Sequence, residues 1–186
     1  EAYERGTSVY LPDRAIPMLP EQLSNGICSL NPQVDRLTLT AEMDIDEHGS
    51  ILRHDIYESI INSNERMTYT AVRQILADRD ELVRKRYESL LPLFELMAEL
   101  MDILRKKRSK RGSIDFDLPE PEIILNLQGQ MTDIIRAERN MAHQLIEEFM
   151  LAANETVAGH LEAMEVPLLY RVHEEPAEEK LADLVE

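Results

Sequence analysis

Carboxylates, aromatics, a histidine and a run of cations supply the candidate chemistry of this 186-residue chain. Asp44-x-Asp46-Glu47 gathers carboxyl groups on a short stretch, and His143 and Glu147 stand at i and i+4, one helical turn apart. Both spacings suit a divalent cation. Each is incomplete, because acidic hairpin ends are commonplace and one His–Glu pair offers two ligands at best. A solvated helix face explains Glu147-Glu148 equally well, Glu148 above all. Tyr10 ends a short apolar strand and Phe116 lies in an extended stretch, positions where an aromatic ring is ordinarily core. From Arg105 to Arg111 every position but Ser109 is cationic. That run suits either attraction of phosphate or a helix C-terminus whose dipole favours positive charge. Cys28 is the lone cysteine, which excludes an internal disulfide and reads as a small buried hydrophobe in a reducing compartment. No phosphate-cradling glycine loop and no nucleophile elbow is present.

The elements that must position these groups follow from periodicity. Val9-Tyr10 reads as a strand stopped by Pro12, followed by a proline-punctuated loop and a helix of one or two turns opened at Leu19-Pro20. Leu37, Leu39, Ala41, Met43 and Ile45 alternate with polar residues. They predict the first strand of a hairpin over Arg36–Ile61, turning at Glu47–Ser50. Met67, Val72, Ile75 and Leu76 form a helical stripe with Thr68 or Thr70 as cap. A long helix is expected from Leu82 to Lys107, kinked or restarted near Leu91 by Pro92 and stopped before Gly112. Ile123–Leu127 and Met131–Ile135 read as a second hairpin across Gln128-Gly129-Gln130. Asn140–Met164 is a long helix burying Met141, Leu145, Ile146, Phe149, Met150, Ala153, Val157 and Leu161. A strand at Leu168–Val172 and a last helix over Pro176–Val185 complete the pattern. Hairpins and helices out of strict alternation predict an α+β fold.

Composition bounds the function. The net charge is −16, carried unevenly: residues 1–114 hold 16 Lys+Arg against 19 Asp+Glu, and residues 115–186 hold 4 against 17. A free-standing nucleic-acid module draws phosphate with a basic surface, so any RNA must sit in a local groove, with help from elsewhere. No apolar run approaches the ~18 residues of a membrane helix. The polar start Glu1-Ala2-Tyr3-Glu4 shows no signal peptide and no initiator Met, so the expectation is a cytoplasmic stretch of a longer protein.

Gly6-Thr7-Ser8-Val9-Tyr10-Leu11-Pro12, followed by Ile16-Pro17-Met18-Leu19-Pro20-Glu21-Gln22-Leu23-Ser24-Asn25-Gly26-Ile27-Cys28-Ser29-Leu30, closely resembles the catalytic domain of the ribonuclease II/ribonuclease R family of processive 3′→5′ exoribonucleases. The ribonuclease R branch is the closer match. Three further segments carry the resemblance: Arg66-Met67-Thr68-Tyr69-Thr70, Lys110-Arg111-Gly112-Ser113-Ile114-Asp115-Phe116, and His143–Asn154 with its double Glu. It implies that Tyr10 and Phe116 clamp the stacked bases of an RNA 3′ end. Stacking grips every base without sequence preference, worth about 1–3 kcal/mol per base. It further implies that Tyr69 helps read the ribose and that Glu147 faces the 3′-terminal nucleotide, where a carboxylate accepting from a 2′-hydroxyl favours RNA over DNA.

Two parts of the family pattern have no counterpart in these residues. One is the aspartate cluster ahead of the Gly-Thr-Ser-Val-Tyr segment, which holds divalent metal; the other is an Arg in a downstream His-Phe-Thr-Ser-Pro-Ile-Arg-like motif. The resemblance therefore implies the central part of one catalytic domain over residues 1–186, with no catalytic residue and no metal ligand of its own. The Mg²⁺ of the parent enzyme is then held elsewhere, single-stranded RNA is the partner, and the isolated chain is inactive and prone to self-association. The rival readings are a non-enzymatic acidic interaction module with core aromatics, and an independent carboxylate–metal hydrolase. The placement of Tyr10 and Phe116, across an open groove or in a closed core, separates enzyme from module.

Overall fold

The computed structural model describes residues 2–114, 121–126, 128–136 and 139–170, with the single positions 172 and 177. One helical turn, α1 (Ala2–Arg5), precedes the two-residue ladder of β1 (Val9–Tyr10) and β2 (Ala15–Ile16). Val9 pairs with Ile16 and Tyr10 with Ala15, and the Leu11 N–H closes the turn on the Arg14 carbonyl at 2.8 Å. Pro12 suits that tight reversal because its φ is already set. The helix expected after Leu19-Pro20 forms as a widened, π-type turn over Gln22–Ile27. Its end is tied to the next strand by Arg36, whose Nε donates to the Ser29 carbonyl at 2.9 Å.

The long hairpin pairs β3 (Asp35–Ile45) with β4 (Ile51–Asn62), in register from Asp35↔Asn62 to Asp44↔Arg53, with a bulge before Ile45. Asp46 closes its tip: one carboxylate oxygen accepts from the backbone N–H of His48 at 2.9 Å and of Ser50 at 2.7 Å. Gly49 adopts φ +79°, and a Cβ there would lie 3.3 Å from the Lys107 side chain, so any other residue is strained. The alternation predicts a buried Leu37/Leu39 face. That holds only near the tip, where Ala41, Met43 and Ile45 are half-buried, whereas Leu37 is 84 %, Leu39 75 % and Ile60 66 % exposed. The hairpin is fastened at its tip, through Lys107 Nζ on the Gly49 carbonyl at 2.8 Å, Met43 against Thr156, and His54 against His160.

Three helices build the core. Thr68 caps α2 (Tyr69–Leu76), its hydroxyl accepting from the Ala71 N–H at 3.2 Å. The helix expected from Leu82 divides at Tyr87 into α3 (Glu81–Arg86), a single 3₁₀ turn, and α4 (Leu91–Lys110). Pro92 sits in the first turn of α4, where no intrahelical donor is lost, so it restarts the helix and does not kink it. After the hairpin of β5 (Pro121–Leu125) and β6 (Met131–Arg136) comes α5 (Met141–Ala163), capped by Asn140. Val72, Ile75, Phe94 and Ala142 form the buried cluster where α2, α4 and α5 meet, with Met101, Leu104 and Leu145 also buried. The architecture is α+β, as the sequence predicts.

Two expectations for the C-terminal part are corrected. α5 is rotated from the expected face: Leu145 is buried as expected and Met141, Phe149, Ala153, Val157 and Leu161 are half-buried, but Ala142, Glu148 and Thr156 are buried too, while Ile146 is 46 % and Met150 54 % exposed. Its packing partners leave Ile146 and Met150 largely uncovered, so part of the apolar arc faces outward. Leu168, Leu169 and Tyr170 belong to no strand. The helix expected over Pro176–Val185 lies outside the described residues, apart from Ala177.

Candidate functional site

Thr68 and Asn140, two caps on different helices, bring the site residues together. Capping α2 at Thr68 leaves Tyr69 as the first helical residue, half-exposed, with its ring laid on His143 of α5 at 4.0 Å between centroids and 18° between planes. His143 is fixed in turn by Asn140 through a capping box, with Nδ1 3.0 Å from the Asn140 side-chain oxygen. Glu147 follows His143 by one turn of α5, so Tyr69 and Glu147 stand along one stretch of helix surface. Beside Tyr69 an apolar groove of about 590 Å³ is lined by Met67, Phe94, Met97, Leu145 and Ile146, with Arg66 also in its lining.

Glu147 is flanked by two guanidiniums. Arg139 donates to Oε2 at 2.7 Å, and Arg108 Nη2 lies 3.6 Å from Oε1. Glu148 is not the solvated residue that the double Glu suggests: it is 4 % exposed and bound by Arg108 at 2.6 and 2.9 Å. A buried carboxylate must find a charged, hydrogen-bonding partner, and α4 delivers one. Arg105 and Arg108 of α4 and Arg111 at its C-cap recur every three residues and meet Gln144, Glu148 and Glu155 of α5. Glu155 grips Arg111 at 2.9 and 3.3 Å and raises the already high affinity of that guanidinium for its proton. Much of the basic run is therefore a seam between helices. No pattern in the sequence announces it: the cations fall three residues apart, whereas Gln144, Glu148 and Glu155 fall four and seven apart, and Gln144 carries no charge.

Tyr10 stands 80 % exposed at the end of β1. That placement is incompatible with a core role for this ring in the described structure. Phe116 lies outside the described residues, so Tyr10, Tyr69 and Glu147 are the sequence-predicted site residues that have a place here.

Neither candidate metal spacing forms a ligand set. Asp44 is engaged by Arg53 at 3.1 Å, Asp46 closes the hairpin turn, and His143 is stacked on Tyr69. Among the described residues no group of three or more His, Cys, Asp or Glu comes together to hold a metal ion. No described helix is long and apolar enough to cross a membrane.

The RNB domain model matches residues 1–186. Ribonuclease R 1 of Lactococcus lactis is 48 % identical over 186 residues, covering all of this chain and 23 % of that protein. Ribonuclease R of Aquifex aeolicus is 49 % identical over 186 residues, covering all of this chain and 26 % of its own length. The chain thus spans about a quarter of the length of the curated relatives it matches. Among solved structures, Mycoplasma genitalium RNase R in complex with ribose-methylated single-stranded RNA superposes with TM-score 0.85 at 35 % identity, covering all of this chain and 29 % of that one. The Dss1 exoribonuclease of Candida glabrata, 20 % identical with TM-score 0.75 over 89 % of this chain and 22 % of its own, shares the fold.

Proposed function

The chain belongs to the RNB domain family, and from that premise we propose that it forms the RNA-gripping middle of the catalytic domain of a processive, hydrolytic 3′→5′ exoribonuclease. The parent enzyme releases nucleoside monophosphates from single-stranded RNA in the cytoplasm. Its Mg²⁺ is held by groups outside these residues, and the chain on its own is inactive.

The observation that carries this reading is the stack of Tyr69 on His143, one turn before Glu147. It sets a phenol and a carboxylate on adjoining helix surfaces beside a groove, an arrangement suited to a ribose. Tyr10 and Phe116 clamp the stacked bases of the RNA 3′ end. The exposure of Tyr10 supports that role over a structural one, because a ring this accessible contributes little to a core and much to a passing base. An acidic interaction module with core aromatics finds no such support.

The test is Tyr10→Ala in the full-length protein. A short RNA has few contacts besides this stack, so the variant should release longer limit products from single-stranded RNA, while cleavage of long substrate stays nearly normal. Limit products of unchanged length on a sequencing gel overturn the clamp.

A further inference from the structure

We infer that Arg108 is a positioning residue for the ribose site: it sets the Glu147 carboxylate and links it to the segment leading to Phe116. The inference rests on the RNA-gripping reading of Glu147. Glu148 is 4 % exposed and needs a partner of opposite charge. Arg108 supplies it, Nε at 2.9 Å and Nη2 at 2.6 Å from the same oxygen, Oε1.

A planar guanidinium held by two of its nitrogens on a buried anchor has little freedom left. Its remaining contacts are thereby fixed in direction. Nη1 donates to the Ser113 hydroxyl at 2.9 Å, and Nη2 lies 3.6 Å from Glu147 Oε1. With Arg139 on Oε2 at 2.7 Å, the Glu147 carboxylate is held between two cations. A carboxylate has about four acceptor positions, so Oε1 keeps capacity for a hydroxyl. The Glu147 side chain is 33 % exposed and within reach of a ligand. The double Glu thus divides its labour: Glu148 holds Arg108, and Arg108 holds Glu147.

Lysine keeps the charge of Arg108 but loses the planar fork. Glu148→Gln keeps the size of the anchor and loses its charge. Both should free Glu147 without removing it. In the full-length protein, kcat/KM is measured on a single-stranded RNA oligomer and on the same oligomer with a 2′-deoxy 3′-terminal nucleotide. Glu147→Gln should lower the ribose preference about tenfold. Arg108→Lys and Glu148→Gln should each lower it at least about threefold, and the Arg108→Lys/Glu147→Gln double variant should fall no further than Glu147→Gln alone. A merely structural role would depress both substrates alike and leave their ratio intact. That result, beside a lowered ratio in Glu147→Gln, overturns the positioning role. Should Arg108→Lys fail to fold, Glu148→Gln carries the same comparison. An unchanged ratio in Glu147→Gln is a different failure: it removes the ribose-sensing reading, and this inference with it.

Discussion

A single carboxylate shows how much of this molecule rests on side chains answering backbone. Asp46 is bound by the Ser50 N–H and then by that of His48, which together hold its proton affinity below the ordinary aspartate value of 3.8. A group whose folded pKa is depressed stabilises the fold above its unfolded value, and that contribution is lost as pH falls through the folded value. Asp46→Asn should therefore lower the melting temperature of the chain at neutral pH, and the gap should close as the pH falls from the ordinary aspartate value of 3.8 through the lower folded one. A gap of constant size from pH 7 downward would assign the effect to shape and not to charge. Residue scale is also where the sequence misled most. Glu147 and Glu148 are neighbours of one type, yet Arg108 lies under one and beside the other. Nothing in their order in the chain encodes which of the two is buried.

At the scale of elements, caps and punctuation were legible because they act within a few residues. Thr68, Pro92, Gly49 and Asn140 stand where local chemistry requires them. Asn140→Ala removes the cap of α5 and the group that fixes His143, so it should cost about 1 kcal/mol in urea denaturation. It should also loosen the Tyr69 stack, which hydrogen exchange at the start of α2 would register. No loss of stability would show that the cap is redundant with packing. The inward face of α5 was less legible, since an apolar arc wider than its contacts admits several orientations. Ile75, wholly buried, and Ile146, half-exposed, separate the outcomes. Ile75→Ala should cost about 2–5 kcal/mol by the cavity it leaves. Ile146→Ala should cost only about 0.5 kcal/mol in the isolated chain, the range of surface changes. Equal losses would contradict the observed packing.

Whole-molecule properties follow from what the described core leaves uncovered. Leu37 and Ile60 face each other across the hairpin with Leu39 beside them, all strongly exposed. Contiguous apolar surface of this kind promotes association. The isolated chain should self-associate in sedimentation experiments, and Leu39→Lys should shift it toward monomer; a wild-type chain that remains monomeric at high concentration would refute this. With no metal ligand set among the described residues, the isolated chain should also release no mononucleotides from single-stranded RNA in Mg²⁺ or Mn²⁺. Release by pure protein would place a complete active site within these residues. By itself the sequence determined the α+β class, the two longer hairpins and their turns, the starts of α2 and α5, and through its motifs the family. Each depends on local propensity or on a short contiguous pattern. Only the tertiary structure decided that Tyr69 lies on His143, that cations of α4 are joined to α5, that Glu148 is buried, and that half of the long hairpin stands uncovered. Those outcomes depend on which distant elements meet, and the sum of many weak contacts across the core settles that, with no residue pattern to announce it.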